Sequence, residues 1–144
     1  MRIVLDTNVL VSALITPGRS AAKLLEEYIL VEDEHGPLTL LLDERIVAEY
    51  REVLARRRFG FEPNLVDDLV AALEAVAIFV DAPALAATPT PDDDRPFLEV
   101  ALAGDAAVIV TGNKKHFPET GRIEVLGPAE LLSRLSDDES EPPA

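Results

Sequence analysis

Three carboxylates stand where the apolar pattern of the chain could carry them toward one place. Asp6 follows the short run Ile3-Val4-Leu5, where a buried strand gives way to the polar turn Asp6-Thr7-Asn8. Asp94 is position i of an i, i+3, i+4, i+7 face completed by Phe97, Leu98 and Ala101, in line with an apolar stripe. A carboxylate so placed must cap its helix, find a partner or bind a cation, because desolvating it alone is costly. Glu49 falls at the edge of the stripe on its helix, about 60° from Ile46. Each also has a plainer reading. Asp6 is an ordinary helix-capping residue, Asp94 belongs with Asp92 and Asp93 to a solvated acidic cluster at a helix start, and Glu49 is a surface glutamate.

If the three converge in one crevice, each pair repels by about 4 kcal/mol at about 4 Å with an effective dielectric of about 20, and a divalent cation removes that penalty. The chain has no Cys and only two His, so the donors are oxygens and suit Mg²⁺ or Mn²⁺ better than Zn²⁺. Such an ion acidifies a bound water, orients a phosphodiester and stabilises charge on the displaced oxygen. Phosphoester hydrolysis is the chemistry these residues fit.

The elements that must position them follow from hydrophobic periodicity. Strands are predicted at Arg2 to Asp6, Leu38 to Leu42, Ile78 to Val80, Ala107 to Thr111 and Ile123 to Leu126. After the breaks at Pro17-Gly18 and Gly36-Pro37, helices are predicted with Ser20 as a cap and Ala21, Leu24, Leu25, Tyr28 and Ile29 on one face, and from about Asp43 to Arg57. Further helices begin at about Pro63, a residue suited to a first turn, at Asp94 with a stop at Gly104, and at Pro128 through Leu135. Residues 81–93, rich in Pro, Ala and Thr, read as a long surface loop. Strands that are apolar throughout and alternate with helices imply a parallel sheet covered on both faces, with functional groups in the crevice at the strands' carboxyl ends. Asp6 and Asn113 both belong at such ends.

Length and composition bound the rest. A chain of 144 residues is expected to form one domain over residues 1–135, followed by an acidic, disordered tail at 136–144. No signal-peptide core and no run long enough to span a membrane is seen, so a cytoplasmic protein is expected. The formal net charge of −14 argues against general attraction to nucleic acid. The basic residues are unevenly placed, however: Arg45, Arg51, Arg56, Arg57 and Arg58 lie close together, either as a solvated helix end or as a phosphate-contacting rim.

Taken in order, Ile3-Val4-Leu5-Asp6-Thr7-Asn8-Val9-Leu10-Val11-Ser12-Ala13, Glu49-Tyr50, Asp94-(x)2-Phe97-Leu98-(x)2-Ala101 and Val108-Ile109-Val110-Thr111-Gly112-Asn113-(x)2-His116-Phe117 resemble the PIN-domain family, most of all its VapC-type toxin components. The resemblance implies a three-layer α/β/α fold around a mainly parallel five-stranded sheet, and RNA cleavage by a water activated with Mg²⁺ or Mn²⁺. It further implies Asp6, Glu49 and Asp94 as catalytic metal ligands, Thr7, Asn8 and Thr111 as polar residues around them, an antitoxin protein as partner, and a homodimer. The family's fourth acidic position falls on Asn113, whose amide can ligate an ion or orient its water but brings no charge. Asp92 and Asp93 are candidate substitutes. Lys114, Lys115 and His116 follow directly, as phosphate contacts or as a solvated turn.

Two other functions compete. An aspartyl-phosphate phosphatase of the haloacid-dehalogenase type also begins with a strand ending in Asp, but it wants a second Asp where this chain has Asn8. A PIN-like module that binds RNA or protein with weakened or absent catalysis is the non-enzymatic alternative, motivated by Asn113 and the acidic charge.

Overall fold

Ile3, Val4 and Leu5 are wholly inaccessible to solvent, as are Leu41, Leu42, Ile109 and Val110. Side chains alternate across a strand, so burial of consecutive residues means that both faces of the sheet are covered. The computed structural model describes residues 1–31, 37–85, 90, 94–117 and 121–140, with side chains only to 137 at the carboxyl end. Its five strands are β1 (Arg2–Leu5), β2 (Thr39–Leu42), β3 (Ile78–Phe79), β4 (Val108–Val110) and β5 (Glu124–Leu126), and its six helices are α1 (Thr7–Ile15), α2 (Ser20–Leu24), α3 (Glu44–Leu54), α4 (Pro63–Val76), α5 (Arg95–Ala103) and α6 (Pro128–Ser140). The sheet order is β3-β2-β1-β4-β5 and every pairing is parallel. This is a three-layer α/β/α architecture, with α5 packed over β1, β2 and β4 and α1 against α2 and α3.

The chain leaves β1 toward β2 on one side and returns to β4 on the other, so β1 and β4 flank the point where the strand order reverses. In open parallel sheets that point carries the ligand crevice. Pairing runs one residue past β1 through the Asp6 amide, which donates to the Val110 carbonyl at 2.9 Å. Asp6 therefore starts on the rigid end of the central strand.

Local chemistry explains most element ends. The Asp43 carboxylate caps α3 by accepting from the Ile46 amide at 3.0 Å, and Pro63 occupies the first turn of α4. Gly104 closes α5 against the sheet, where a Cβ would stand 2.6 Å from Leu41 Cδ1. Ser20 does not cap its helix: it is the first helical residue, and the helix start is held by Lys23 N–H to the Arg19 carbonyl at 2.9 Å. The predicted helix there continues instead as a π turn, Leu25–Ile29. α6 runs on to Ser140, so the tail expected from Ser136 begins inside a helix; residues 141–144 lie outside the described residues, as do Gly36, Asp92 and Asp93 and part of the expected loop at 81–93. No described helix is long and apolar enough to cross a membrane.

Candidate functional site

At the carboxyl ends of β1 and β4 lies an open cleft of about 370 Å³, walled by Asp6, Thr7, Asn8, Glu49, Asp94, Asn113 and His116 on its polar side and by Val11, Val53, Arg56, Arg58 and Phe59. Asp6, 6% exposed, stands at its base. Although Asp6 precedes α1, its side chain makes no capping bond. Its Oδ2 accepts instead from the hydroxyl of the fully buried Thr111 at 2.7 Å, and that hydroxyl accepts in turn from the Asn113 amide at 2.9 Å. The two strand ends are thus tied together through one hydroxyl.

Around this tie each polar residue has a defined partner. Thr7 donates its hydroxyl to Glu49 Oε2, which brings a half-buried glutamate of α3 to the end of β1. Asn8 Oδ1 accepts from the Gly112 amide at 3.1 Å, closing the other side of the crevice. Behind Asp6, the buried Tyr50 hydroxyl donates to the Leu5 carbonyl at 2.6 Å. Asp94 precedes α5 without capping it; its Oδ2 meets His116 Nδ1 at 2.7 Å, and the same imidazole lies 3.0 Å (Nε2) from the Asn113 side-chain amide.

The electrostatics are those of a site short of positive charge. Burial pushes the Asp6 carboxyl above the ordinary carboxylate range; the Thr111 hydroxyl opposes this, the charge of Asp94 adds to it, and the Thr7 amide and His116 only partly offset the rise. Burial, followed by the charges of Asp6 and Glu49, drives the Tyr50 phenol well above its usual value and keeps it a neutral donor. The donor set, three carboxylates with hydroxyl and amide oxygens beside the His116 imidazole, fits a hard divalent ion. Among the described residues no three His, Cys, Asp or Glu side chains gather into a ready-made metal cage; Glu49 accepts from Thr7, and Asp94 meets His116.

The structure therefore brings Asp6, Thr7, Asn8, Glu49, Asp94 and Asn113 into one cleft, with Thr111 buried beside Asp6. It does not bring Lys114 and Lys115 there. Lys114 Nζ pairs with Glu130 at the start of α6, Lys115 is exposed, and neither lines the cleft. Of the arginine cluster, Arg45 bridges Asp43 and the buried Glu99, and Arg51 pairs with Asp67 and Glu74, whereas Arg56 and Arg58 line the cleft. Sequence reasoning missed the contacts of Tyr50 and of His116 with Asp94. The adjacency of Tyr50 to Glu49 within an apolar stripe was the available signal for the first; nothing in the spacing signals the second.

Comparison with known proteins bears on the family and the fold. The sequence profile of the PIN domain matches residues 2–115. No curated protein matches the chain by sequence. Among solved structures, VapBC-1 from nontypeable Haemophilus influenzae is similar with a TM-score of 0.59 and 15% identity, over 90% of this chain and 99% of that one. VapBC2 from Rickettsia felis, bound to a DNA fragment from their promoter, is similar with a TM-score of 0.56 and 17% identity, over 87% of this chain and 98% of that one. At these identities the likeness to the solved structures is one of fold.

Proposed function

We propose, from the premise that this chain belongs to the PIN-domain family, that it is a metal-dependent endoribonuclease and the toxin of a toxin–antitoxin pair. One observation carries the catalytic part: a buried, charge-strained carboxylate, Asp6, shares a cleft at the strand-order switch with Asp94 and Glu49. Asp6, Glu49 and Asp94 would hold Mg²⁺ or Mn²⁺. When bound, that ion neutralises charge at the phosphodiester and acidifies the attacking water.

The chain's own residues then do the positioning. Thr111 fixes the Asp6 carboxylate by donating to its Oδ2. Thr7 orients Glu49, while Asn8 holds the Gly112 turn, and with it Asn113, against the end of β1. Asn113 orients water through its amide and leaves the site one carboxylate poorer, which suits a single ion. The phosphate-contacting role expected of Lys114 and Lys115 passes to Arg56, because Glu130 draws Lys114 away and Arg56 lines the cleft. The fold's likeness to VapBC structures supports an antitoxin protein as partner; a homodimer is proposed from the family resemblance alone.

The experiment is RNA cleavage by the purified chain with Mg²⁺ or Mn²⁺. Loss of an outer partner of a metal site costs about 10–100-fold, so Asp6→Asn and Asp94→Asn should lose more than about 100-fold while remaining folded. Asn113 and the lack of a ready-made cage among the described residues favour a second reading, a PIN-fold binding module without catalysis. Calorimetry separates the two: Mn²⁺ binding abolished by Asp6→Asn supports the nuclease, and no binding by the wild-type chain supports the module.

A further inference from the structure

One wall of the cleft comes from the end of α3 and the connection that follows it. There the guanidinium carbon of Arg58 lies 4.8 Å from the centre of the Phe59 ring, and the Phe61 ring stacks on Phe59 with centres 5.5 Å apart and planes within 10°. Phe61 is partly buried against the hydrophobic core. Between the rings Gly60 adopts φ +64°, a left-handed turn that other residues rarely take. Phe61 anchors the ring pair in the core, and the exposed Arg58 lies against Phe59 at the cleft rim. Arg56, exposed and paired with Glu52 one turn back on α3, adds a second cation to the same wall.

Packing α3 against α4 needs no flat cation at a solvent-exposed rim, and charge alone would need no ring beneath it. A planar guanidinium held on an aromatic ring is, however, a surface on which an unpaired nucleobase stacks. With a net charge of −14, the chain has no general attraction for polyanions, so attachment must be local. The cations lining the cleft are Arg56, Arg58 and, when protonated, His116. The cleft, about 370 Å³, is open to solvent along this wall.

We propose that the Arg58-Phe59-Phe61 stack is a nucleobase subsite. An unpaired base lies on the Arg58-Phe59 surface and Arg56 holds a neighbouring phosphate, so that an adjacent phosphodiester faces Asp6, Glu49 and Asp94. This rests on the reading of the cleft as an RNA-cleaving site. It adds a specificity: cleavage beside an unpaired base, selected at the α3–α4 connection.

The test is fluorescence anisotropy of a labelled RNA oligonucleotide, single-stranded and annealed to its complement, with the full chain in Ca²⁺ and the RNA checked for integrity. The wild-type chain binds the unpaired strand more tightly than the duplex. Arg58→Ala and Phe59→Leu each weaken that binding about ten-fold, Phe59→Tyr retains it, and Arg56→Ala lowers the salt-dependence slope by about 1. Unchanged affinity in Arg58→Ala and Phe59→Leu, or a preference for duplex, overturns the subsite and leaves the stack to a protein partner or to anchoring α4. Cleavage of the same RNA with Mn²⁺ is measured alongside. A cleaving wild-type chain with unaltered variant affinities refutes only the subsite, lack of cleavage with the predicted binding losses refutes only the nuclease, and a wild-type chain that neither binds nor cleaves refutes both.

Discussion

Asp6→Asn separates the structural cost of the site from its use. The substitution keeps the side chain's shape and an oxygen able to accept the Thr111 hydroxyl, but removes the charge that burial and Asp94 both disfavour. Relief of a buried, incompletely compensated charge, with its hydrogen bond retained, is worth about 1–2 kcal/mol. For a chain of 144 residues that raises Tm by about 3–8 °C in EDTA. Mn²⁺ at about 100 times its Kd stabilises the wild-type chain by about 2.7 kcal/mol, and Asn at position 6 forfeits most of that gain. The order of stabilities should therefore invert between EDTA and Mn²⁺, read by circular dichroism melts of both proteins in both buffers. A variant less stable than wild type in EDTA, or one stabilised by Mn²⁺ as much as wild type, refutes the claim that Asp6 is a strained ligand.

Three further predictions concern the scaffold. Burial pushes the Glu99 carboxyl up, but the Leu85 amide and Arg45 outweigh it and hold it below its ordinary value. A depressed folded-state value means stability present above the unfolded value of about 4.5 and lost as pH falls through the folded one, so the deficit of Glu99→Gln, about 1–3 kcal/mol at pH 7, should shrink in urea melts taken below pH 4.5. Tyr50→Phe leaves the Leu5 carbonyl without its phenol donor and should cost about 1 kcal/mol by chemical denaturation. Gly104→Ala forces a methyl to 2.6 Å from Leu41 Cδ1, and calorimetry should show a loss of about 1–3 kcal/mol.

Much of this architecture is legible in the sequence because parallel strands buried on both faces write themselves as unbroken apolar runs. Ile3-Val4-Leu5 and Val108-Ile109-Val110 are such runs, and each ends on a polar residue that the fold must place in the crevice, Asp6 and Thr111. Asp94 was equally legible as a carboxylate in line with Phe97, Leu98 and Ala101. Features that depend on contacts between elements were not. The buried Glu99 sits two residues from Phe97, on what periodicity marks as an outward face, and is covered there by Arg45 and the Leu85 amide. Lys114 follows Asn113 directly, yet its charge is taken by Glu130, which is set by how α6 returns over the sheet. The π turn at Leu25–Ile29 uses the same apolar residues that an α-helix would, so spacing alone could not announce it.

The most direct test of the account is cleavage of single-stranded RNA by the purified wild-type chain with Mn²⁺, set against the same reaction in EDTA and with folded Asp6→Asn and Asp94→Asn proteins. Cleavage that requires the metal and falls by more than about 100-fold in both variants is the predicted result. Cleavage that persists in EDTA, or that either variant retains at the wild-type rate, contradicts the assignment of this cleft.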